Sequence, residues 1–504
     1  MQSIKADVII IGTGVGGSAV AHQLAGSGAR ILMLERGDFL ANEPQNSDAE
    51  SVFAQARYKT TDLWQDPAGR TYRPGQYYYV GGHTKFYGTA MFRFRESDFN
   101  ETEMDHAASP AWPVSYADLE PYYAAAENLY GVRGDQGTDP TEPPRSAPFP
   151  HPAIPHEPVI KTLSGRLRDL GLTPFPMPAA VDYGEGGNCR RCGTCDAFAC
   201  RFDAKGDADV RIMRPLLDHP DIRLERNAKV TRLIADRDGR RIVAAEILRD
   251  GETLRAEAPL FVLSAGAINS ALILLRSACE PMPDGLANSS GVVGRYLMNH
   301  HLTGLMGVNP LAVNDTKFPK TLSVNDFYHG LPGDPDARGN MQMLGNIQGA
   351  MIRATYPAMP RLAANWLARH SVDVLAMSED LPDACSRVRM LAGDRVEVDY
   401  RPGGTAAHDR FVTHLRRVLR RAGFPLVLRH GFGIEAPSHQ CGTVRMGDDP
   451  ASSALDSLCR AHDHPNLHVV DAGFFPSSAA LNPALTIAAQ ALRVGAHLRD
   501  THAA

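Results

Sequence analysis

The sequence lacks a hydrophobic run long enough to cross a membrane, and it lacks an excess of charge of one sign. Its N-terminal apolar run, Val8–Ile11, stops at Gly12, whereas a membrane helix needs roughly 18 consecutive apolar residues. The 52 Lys and Arg residues nearly balance the 57 Asp and Glu residues, giving a net charge of −5. This balance provides no excess of basic residues that would bind the phosphate backbone of a nucleic acid. We therefore expect neither a membrane span nor a nucleic-acid partner.

The N-terminus also lacks the features of a secretion signal. No basic region, long apolar core or small-residue cleavage site precedes the strand-like run that begins within the first ten residues. The sequence therefore predicts a cytoplasmic protein. Export together with a partner that carries its own signal would leave no trace in this chain.

Internal repeats of about 20–50 residues are also absent, which excludes solenoids and propellers. The 504 residues correspond to about two to four domains, and 43% hydrophobic and 22% charged residues are ordinary values for a globular chain. Residues 139–158 are rich in proline, which excludes a helix or a central strand there. We interpret that segment as a surface excursion between substructures.

What the sequence does contain is a dinucleotide-binding fingerprint. Gly12, Gly14 and Gly17 follow an apolar strand and open a helix-compatible stretch, and Glu35 ends the next apolar run. Gly12 permits a tight turn, Gly14 lets the backbone approach a pyrophosphate, and Gly17 allows close helix packing. The Glu35 carboxylate is suited to ribose hydroxyls and would repel the 2′-phosphate of NADP. The fingerprint alone leaves FAD and NAD open.

Further motifs follow in a defined order along the chain. They are VGGHTKFYG at 80–88, AGAINS at 265–270, SHQCGTVRMG at 438–447, PNLHVVDA at 465–472 and LNPALT at 481–486. Together with the fingerprint they resemble the glucose-methanol-choline (GMC) family of FAD-dependent oxidoreductases over nearly the whole chain, although Ala271 stands where a proline is usual. Segments 112–123 and 287–295 are most similar to the bacterial branch that contains the catalytic subunit of FAD-dependent glucose dehydrogenase.

The resemblance implies an α/β fold, α+β overall, with a Rossmann-like FAD-binding domain and a discontinuous substrate-binding domain. The FAD-binding domain is expected to comprise residues 1–110, 205–300 and 440–504. The substrate-binding region is expected to comprise residues 111–204 and 301–439, with a cysteine-rich insertion.

The resemblance also implies oxidation of an alcohol, such as a sugar or polyol, to a carbonyl compound by hydride transfer to flavin N5. By position His439 is the base, and histidine suits that task because its pKa lies near neutrality. Asn482 would hydrogen-bond the substrate oxygen and stabilise developing alkoxide charge. Without the family, a lone histidine such as His439 is more often structural than catalytic, and Asn482 with the following proline is an ordinary turn signal.

The cofactor contacts are likewise implied by family position. Gly81 and Gly82 belong to a loop over the flavin, and Ala265 belongs to the second family signature. Val230 is placed at the adenine, Asp471 at the ribityl chain, and Ala472 and Thr486 nearby. Some relatives attach FAD through a histidine at the position that Phe86 occupies here, so we expect dissociable FAD.

Alternative functions stay open at this point. A few GMC members are lyases, and a flavoprotein could relay electrons without catalysis, although a relay needs neither His439 nor Asn482. An NAD(P)-dependent dehydrogenase is the remaining enzyme class. Oxygen, a quinone or a cytochrome could accept the electrons. An acidic electron-acceptor protein could dock on a basic helix face, which is more often simply solvated; its arginines are Arg410, Arg416, Arg417, Arg420 and Arg421.

The last motif is a cluster of cysteines with the spacing C-x₂-C-x₂-C-x₄-C, formed by Cys189, Cys192, Cys195 and Cys200. The first three repeat the start of bacterial ferredoxin motifs, which makes an iron–sulfur cluster the favoured metal. The glucose dehydrogenase branch carries a cluster at about this place. The alternatives are a disulfide or reduced structural loop, and zinc.

Overall fold

The computed structural model describes residues 3–104, 107–436 and 439–502. Ser438, the first residue of the SHQCGTVRMG motif, lies outside the described residues. The architecture is mixed α/β with two main hydrophobic cores. In the part that the structure describes, no helix is long and apolar enough to cross a membrane.

A five-stranded parallel sheet forms the first core. Its three central strands are fully buried apolar runs of four residues, and such runs suit a parallel sheet that is covered on both faces. In spatial order the strands are Ile222–Glu225, Ile31–Leu34, Val8–Ile11, Leu260–Leu263 and Leu467–Val469. The helix Val15–Leu24 follows the first strand of the fingerprint, and the helix Ala484–His502 packs against it.

A six-stranded antiparallel sheet forms the second core. In spatial order its strands are Phe175–Pro176, Leu322–Val324, Asn340–Met343, Ser371–Ser378, His301–Val308 and Leu426–Phe432. The helices Pro158–Asp169 and Thr405–Arg421 contribute buried leucines and Phe411 to this core. The amphipathic pattern of residues 405–421 places its arginine-rich face away from these buried residues.

The remaining elements form smaller sheets and further helices. A four-stranded sheet contains Ser3–Lys5, Glu252–Glu257, Ile242–Arg249 and Lys229–Ala235. A three-stranded sheet contains Ala179–Ala180, Val132–Gly134 and His151–Pro152. A second four-stranded sheet contains Arg387–Leu391, Arg395–Asp399, Trp64–Gln65 and Thr71–Tyr72. Two strand pairs are formed by Met298–Asn299 with Gln440–Cys441 and by Thr102–Met104 with Ala107–Ser109. The other α-helices are Tyr116–Tyr130, Arg214–Leu216, Ala267–Arg276, Gly349–Thr355 and Arg361–Arg369.

The division into FAD-binding and substrate-binding domains stays a prediction, and the residue content of the sheets supports it. The parallel sheet takes its strands from residues 8–34, 222–263 and 467–469, whereas the six-stranded sheet takes them from 175–176 and 301–432. One small sheet joins both regions, because strand Arg395–Asp399 pairs with Trp64–Gln65.

Candidate active site

A cavity of about 600 Å³ lies where the fingerprint turn, the 80–88 loop and the six-stranded sheet meet. This volume is within the range of ligand and cofactor pockets. The predicted site residues that line it are Gly12, Gly14, Glu35, Gly82, Val230, Ala265, His439, Asp471, Ala472 and Asn482. Residues predicted from widely separated motifs therefore line the same cavity.

The three fingerprint glycines have different local environments. Gly12 has φ +98°, and a Cβ there would lie 2.2 Å from the carbonyl oxygen of Ser264. A Cβ on Gly17 would lie 2.1 Å from the carbonyl oxygen of Gly12, so this glycine allows the helix to pack against the turn. A Cβ on Gly14 would meet nothing within 4 Å. Gly14 therefore faces open space at a helix N-terminus, as a pyrophosphate requires.

Glu35 holds the fingerprint turn in place. Its Oε2 accepts hydrogen bonds from Thr13 N at 3.1 Å and Thr13 Oγ1 at 2.6 Å, and its Oε1 accepts one from Gly37 N at 2.9 Å. Burial raises the pKa of Glu35 and outweighs these hydrogen bonds. Gly81 N in turn donates to Thr13 Oγ1 at 3.2 Å, which fixes the 80–88 loop beside the turn.

Gly81 and Gly82 serve different packing needs. Gly81 does not line the cavity; it has φ +92°, and a Cβ there would lie 2.8 Å from Asp209. Gly82 lines the cavity, and a Cβ there would lie 3.0 Å from the Cα of Gly14. The loop thus crosses directly over the N-terminus of the fingerprint helix.

Asp471 connects the C-terminal segment to the second family signature. Its Oδ2 accepts hydrogen bonds from Gly266 N at 3.0 Å and Ser270 Oγ at 2.5 Å, and its Oδ1 accepts one from Gly473 N at 2.8 Å. Thr486 does not line the cavity. Its hydroxyl instead makes a 2.8 Å hydrogen bond with the hydroxyl of Tyr123 in a neighbouring helix.

His439 lies among other histidines. Its ring is perpendicular to that of His300, with 5.0 Å between the centroids. Burial lowers the pKa of His439 well below its usual value, and the nearby His300 and Lys320 lower it further. The Nδ1 atom is buried and has no hydrogen-bond partner among the described residues. His439 is therefore neutral at physiological pH and able to accept a proton.

Asn482 is held by a chain of buried amide side chains. Its Oδ1 accepts a hydrogen bond from Gln342 Nε2 at 2.9 Å, and the same Nε2 donates to Asn340 Oδ1 at 2.9 Å. Asn340 Nδ2 donates to Asn325 Oδ1 at 2.6 Å and Ser323 Oγ at 2.8 Å. Because Gln342 donates a hydrogen bond to the side-chain oxygen of Asn482, the amide N–H groups of Asn482 can donate to another acceptor.

The four clustered cysteines do not line the cavity, and all of them are free thiols. Their loop is arranged around the buried ammonium of Lys205, which donates to the carbonyl oxygens of Cys195 at 2.8 Å, Phe198 at 2.7 Å and Tyr87 at 2.8 Å. Burial raises the pKa of Cys195 to about 12. Within the described ranges, no group of three or more Cys, His, Asp or Glu side chains is placed to hold a metal ion.

Sequence reasoning missed three polar residues of this site. Asp196, in the cysteine-rich segment, and Lys320 line the cavity and form an ion pair of 2.7 Å. Gln342 contacts Asn482. Lys320 and Gln342 lie in the region 302–437, which carries no recognisable motif, so no local signal could have identified them.

Comparisons with known proteins agree with this arrangement. A family model described as GMC oxidoreductase matches residues 6–302, and its C-terminal counterpart matches residues 358–491. The chain is 32% identical over 523 residues to 6'''-hydroxyparomomycin C oxidase from Streptomyces lividus, covering 99% of this chain and 93% of the relative. It is 26% identical over 535 residues to the fructose dehydrogenase large subunit from Gluconobacter japonicus, covering 98% and 97%.

The fold also matches a solved structure. The formate oxidase of Aspergillus oryzae RIB40, solved in a study of FAD modification, superposes with a TM-score of 0.69 at 14% sequence identity. The match covers 100% of this chain and 99% of the formate oxidase. At this identity the similarity concerns the fold.

Proposed function

Because this chain belongs to the GMC oxidoreductase family of FAD-dependent enzymes that act on CH–OH groups, we propose that it oxidises an alcohol to a carbonyl compound with His439 as the base. The observation that carries this proposal is the shared cavity: His439 and Asn482 line the same space as the dinucleotide fingerprint. A sugar, a polyol or a related alcohol is the proposed substrate.

The residues present fit FAD. A Cβ on Gly14 would meet no atom within 4 Å, Gly82 lies beside Gly14, and Glu35 lines the same cavity. Bound there, FAD would supply the flavin that accepts the hydride. The residues of this chain have the remaining tasks of orienting the alcohol and removing its hydroxyl proton.

His439 is proposed to remove that proton through a ring nitrogen. Burial lowers its pKa, and the neighbouring His300 and Lys320 lower it further, so the ring is neutral at neutral pH and can accept a proton. Its buried Nδ1 has no hydrogen-bond partner among the described residues, so no described protein group occupies that nitrogen.

Asn482 is proposed to hold the substrate oxygen. Gln342 fixes the Asn482 carbonyl oxygen at 2.9 Å, and this orients the amide N–H groups as donors. A donor fixed before the reaction stabilises the negative charge that develops on the alcohol oxygen as the proton leaves. A lyase would use the same cavity, whereas a simple electron relay would need neither residue.

The test is anaerobic mixing with alcohols and sugars. Purified protein is expected to be yellow, and an oxidisable alcohol is expected to bleach the flavin absorbance in the absence of oxygen. Acid precipitation is expected to release FAD into the supernatant, because Phe86, which stacks on Tyr77 at 4.1 Å, offers no atom for covalent attachment. A colourless protein that binds NADH would contradict the proposal, and flavin that stays in the pellet would contradict dissociable attachment.

The electron acceptor is a separate proposal. The exposed Arg417, Arg420 and Arg421 on helix Thr405–Arg421 form a basic face that would suit an acidic electron-acceptor protein. The similar fructose dehydrogenase chain is itself named as a large subunit. Slow reoxidation of the bleached protein by air would support a dedicated acceptor, whereas fast reoxidation would indicate that oxygen is the acceptor. A cytoplasmic location stays a prediction.

The cysteine cluster gives a further expected result. An iron–sulfur cluster stays a hypothesis drawn from spacing, and the loop around Lys205 supports the reduced structural loop instead. Protein prepared without oxygen is therefore expected to contain neither iron with acid-labile sulfide nor stoichiometric zinc. Iron and sulfide in equal amounts, measured on that protein by elemental and colorimetric analysis, would overturn this expectation.

A further inference from the structure

An ion pair that the proposed reaction does not use lies in the wall of the cavity. Lys320 Nζ is 2.7 Å from Asp196 Oδ2, and the two side chains are 6% and 18% exposed. Both residues line the cavity that contains His439 and Asn482. Lys320 is also close enough to His439 for its charge to disfavour protonation of the ring. The pair is thus near the proposed reaction centre.

The surrounding backbone is shaped to admit this pair. A Cβ on Gly88 would lie 2.0 Å from Lys320 Nζ and 2.4 Å from Asp196 Oδ1, and a Cβ on Gly345 would lie 2.5 Å from the Asp196 Cβ. Gly345 N also donates to Asp196 Oδ2 at 3.2 Å. Ala197, directly after Asp196, has φ +63°, a conformation that is uncommon for a residue with a side chain. The position of Asp196 is therefore closely constrained.

The pair retains unused hydrogen-bonding capacity. A lysine ammonium carries three N–H donors, and Asp196 Oδ2 is the only oxygen bonded to Nζ among the described residues. Asp196 Oδ1 accepts no hydrogen bond within the described ranges. A polar group in the cavity would satisfy the spare donors and the spare acceptor.

A hydroxyl group meets both requirements, because it accepts one hydrogen bond and donates another. The paired charges cancel, so a neutral group suits them better than an amine, which Lys320 would repel, or a carboxylate, which Asp196 would repel. We propose that Lys320 and Asp196 bind a second hydroxyl group of the substrate and thereby select polyhydroxylated alcohols over alcohols with a single hydroxyl group. This inference rests on the proposed function. The cysteine-rich segment then has a role in substrate selection, because it carries Asp196 to the cavity.

The test compares two five-carbon primary alcohols, xylitol and pentan-1-ol, on the FAD-containing enzyme. The measured quantity is the ratio of kcat/KM for xylitol to kcat/KM for pentan-1-ol, obtained from flavin bleaching. The ratio cancels any effect on the base or on the flavin, since both alcohols share them. Lys320→Met and Asp196→Asn are each expected to lower the ratio by roughly 10–100-fold, the usual effect of losing a hydrogen bond to a charged group.

Controls separate this proposal from folding defects and from the proposed function. The double variant Lys320→Met/Asp196→Asn removes both charges and leaves neither unpaired, and it is expected to lower the ratio as far as either single change. Lys317→Met makes the same substitution at an exposed lysine outside the cavity and should leave the ratio at the wild-type value. An unchanged ratio in the double variant, or no preference for xylitol in the wild type, would overturn the inference. A wild-type enzyme whose flavin is bleached by no alcohol or sugar in the anaerobic screen would contradict the proposed function itself.

Discussion

Replacement of His439 by alanine is expected to slow flavin reduction by roughly 10²–10⁴-fold, the usual effect of losing a general base. The pKa of His439 is lowered by burial and then by His300 and Lys320, so at pH 7.5 the wild-type ring is neutral and competent to accept a proton. Alanine cannot accept one, and the alcohol must then lose its proton to water. The measurement is the rate of anaerobic bleaching at saturating alcohol.

The FAD content of the variant decides how this result is interpreted. Among the described residues, the hydrogen bonds that hold the fingerprint turn come from Glu35 and Gly81 and do not involve His439, so the bound FAD per protein should stay near the wild-type value. His151→Ala provides a matched control, because His151 is exposed and does not line the cavity; its bleaching rate should be unchanged. A His439→Ala protein that is reduced at the wild-type rate would show that the base has been misassigned.

Alanine at Gly12 and alanine at Gly14 are expected to have opposite consequences. At Gly12 the new Cβ would meet the Ser264 carbonyl oxygen at 2.2 Å, and the residue would have to adopt φ +98°. This should lower the free energy of unfolding by about 3 kcal/mol or more. At Gly14 the backbone has φ −68° and the Cβ meets nothing within 4 Å, so the folded protein itself should be almost unaffected.

For FAD affinity we expect Gly14→Ala to have a large effect, although it hardly affects the stability of the folded protein. The Cβ of Gly14→Ala would project into the space proposed for the pyrophosphate, and we expect the Kd for FAD to rise by roughly 10–100-fold. The measurements are thermal unfolding of the cofactor-free proteins and titration of each with FAD. Equal destabilisation of the two cofactor-free variants, or wild-type FAD affinity in Gly14→Ala, would contradict the assignment of this turn.

The dinucleotide fingerprint could be predicted from the sequence because its requirements are local. Gly12 and Gly17 are needed for contacts within a short strand-turn-helix unit, and such requirements leave a spacing that can be recognised in the sequence. The resemblance then supplied His439 and Asn482 by position, and both line the cavity.

The rest of the site depends on tertiary packing. Lys320 contacts Asp196, which lies 124 positions away in the chain, and Gln342 contacts Asn482, which lies 140 positions away. Contacts between residues so far apart in the sequence produce no recognisable motif. The placement of Thr486 near the cofactor stays a prediction. Its hydroxyl bonds to Tyr123, and the residue does not line the cavity.

The parallel sheet places constraints on the order of events during biosynthesis. Strand Leu467–Val469 completes the sheet beside Leu260–Leu263, and helix Ala484–His502 packs against the fingerprint helix Val15–Leu24. The first and last segments of the fold thus depend on each other, and contacts so distant in sequence form slowly. The chain must leave the ribosome as far as helix Ala484–His502 before its N-terminal unit can close. Until then the exposed apolar strands are a target for chaperones, and we expect flavin to be acquired after translation rather than during it.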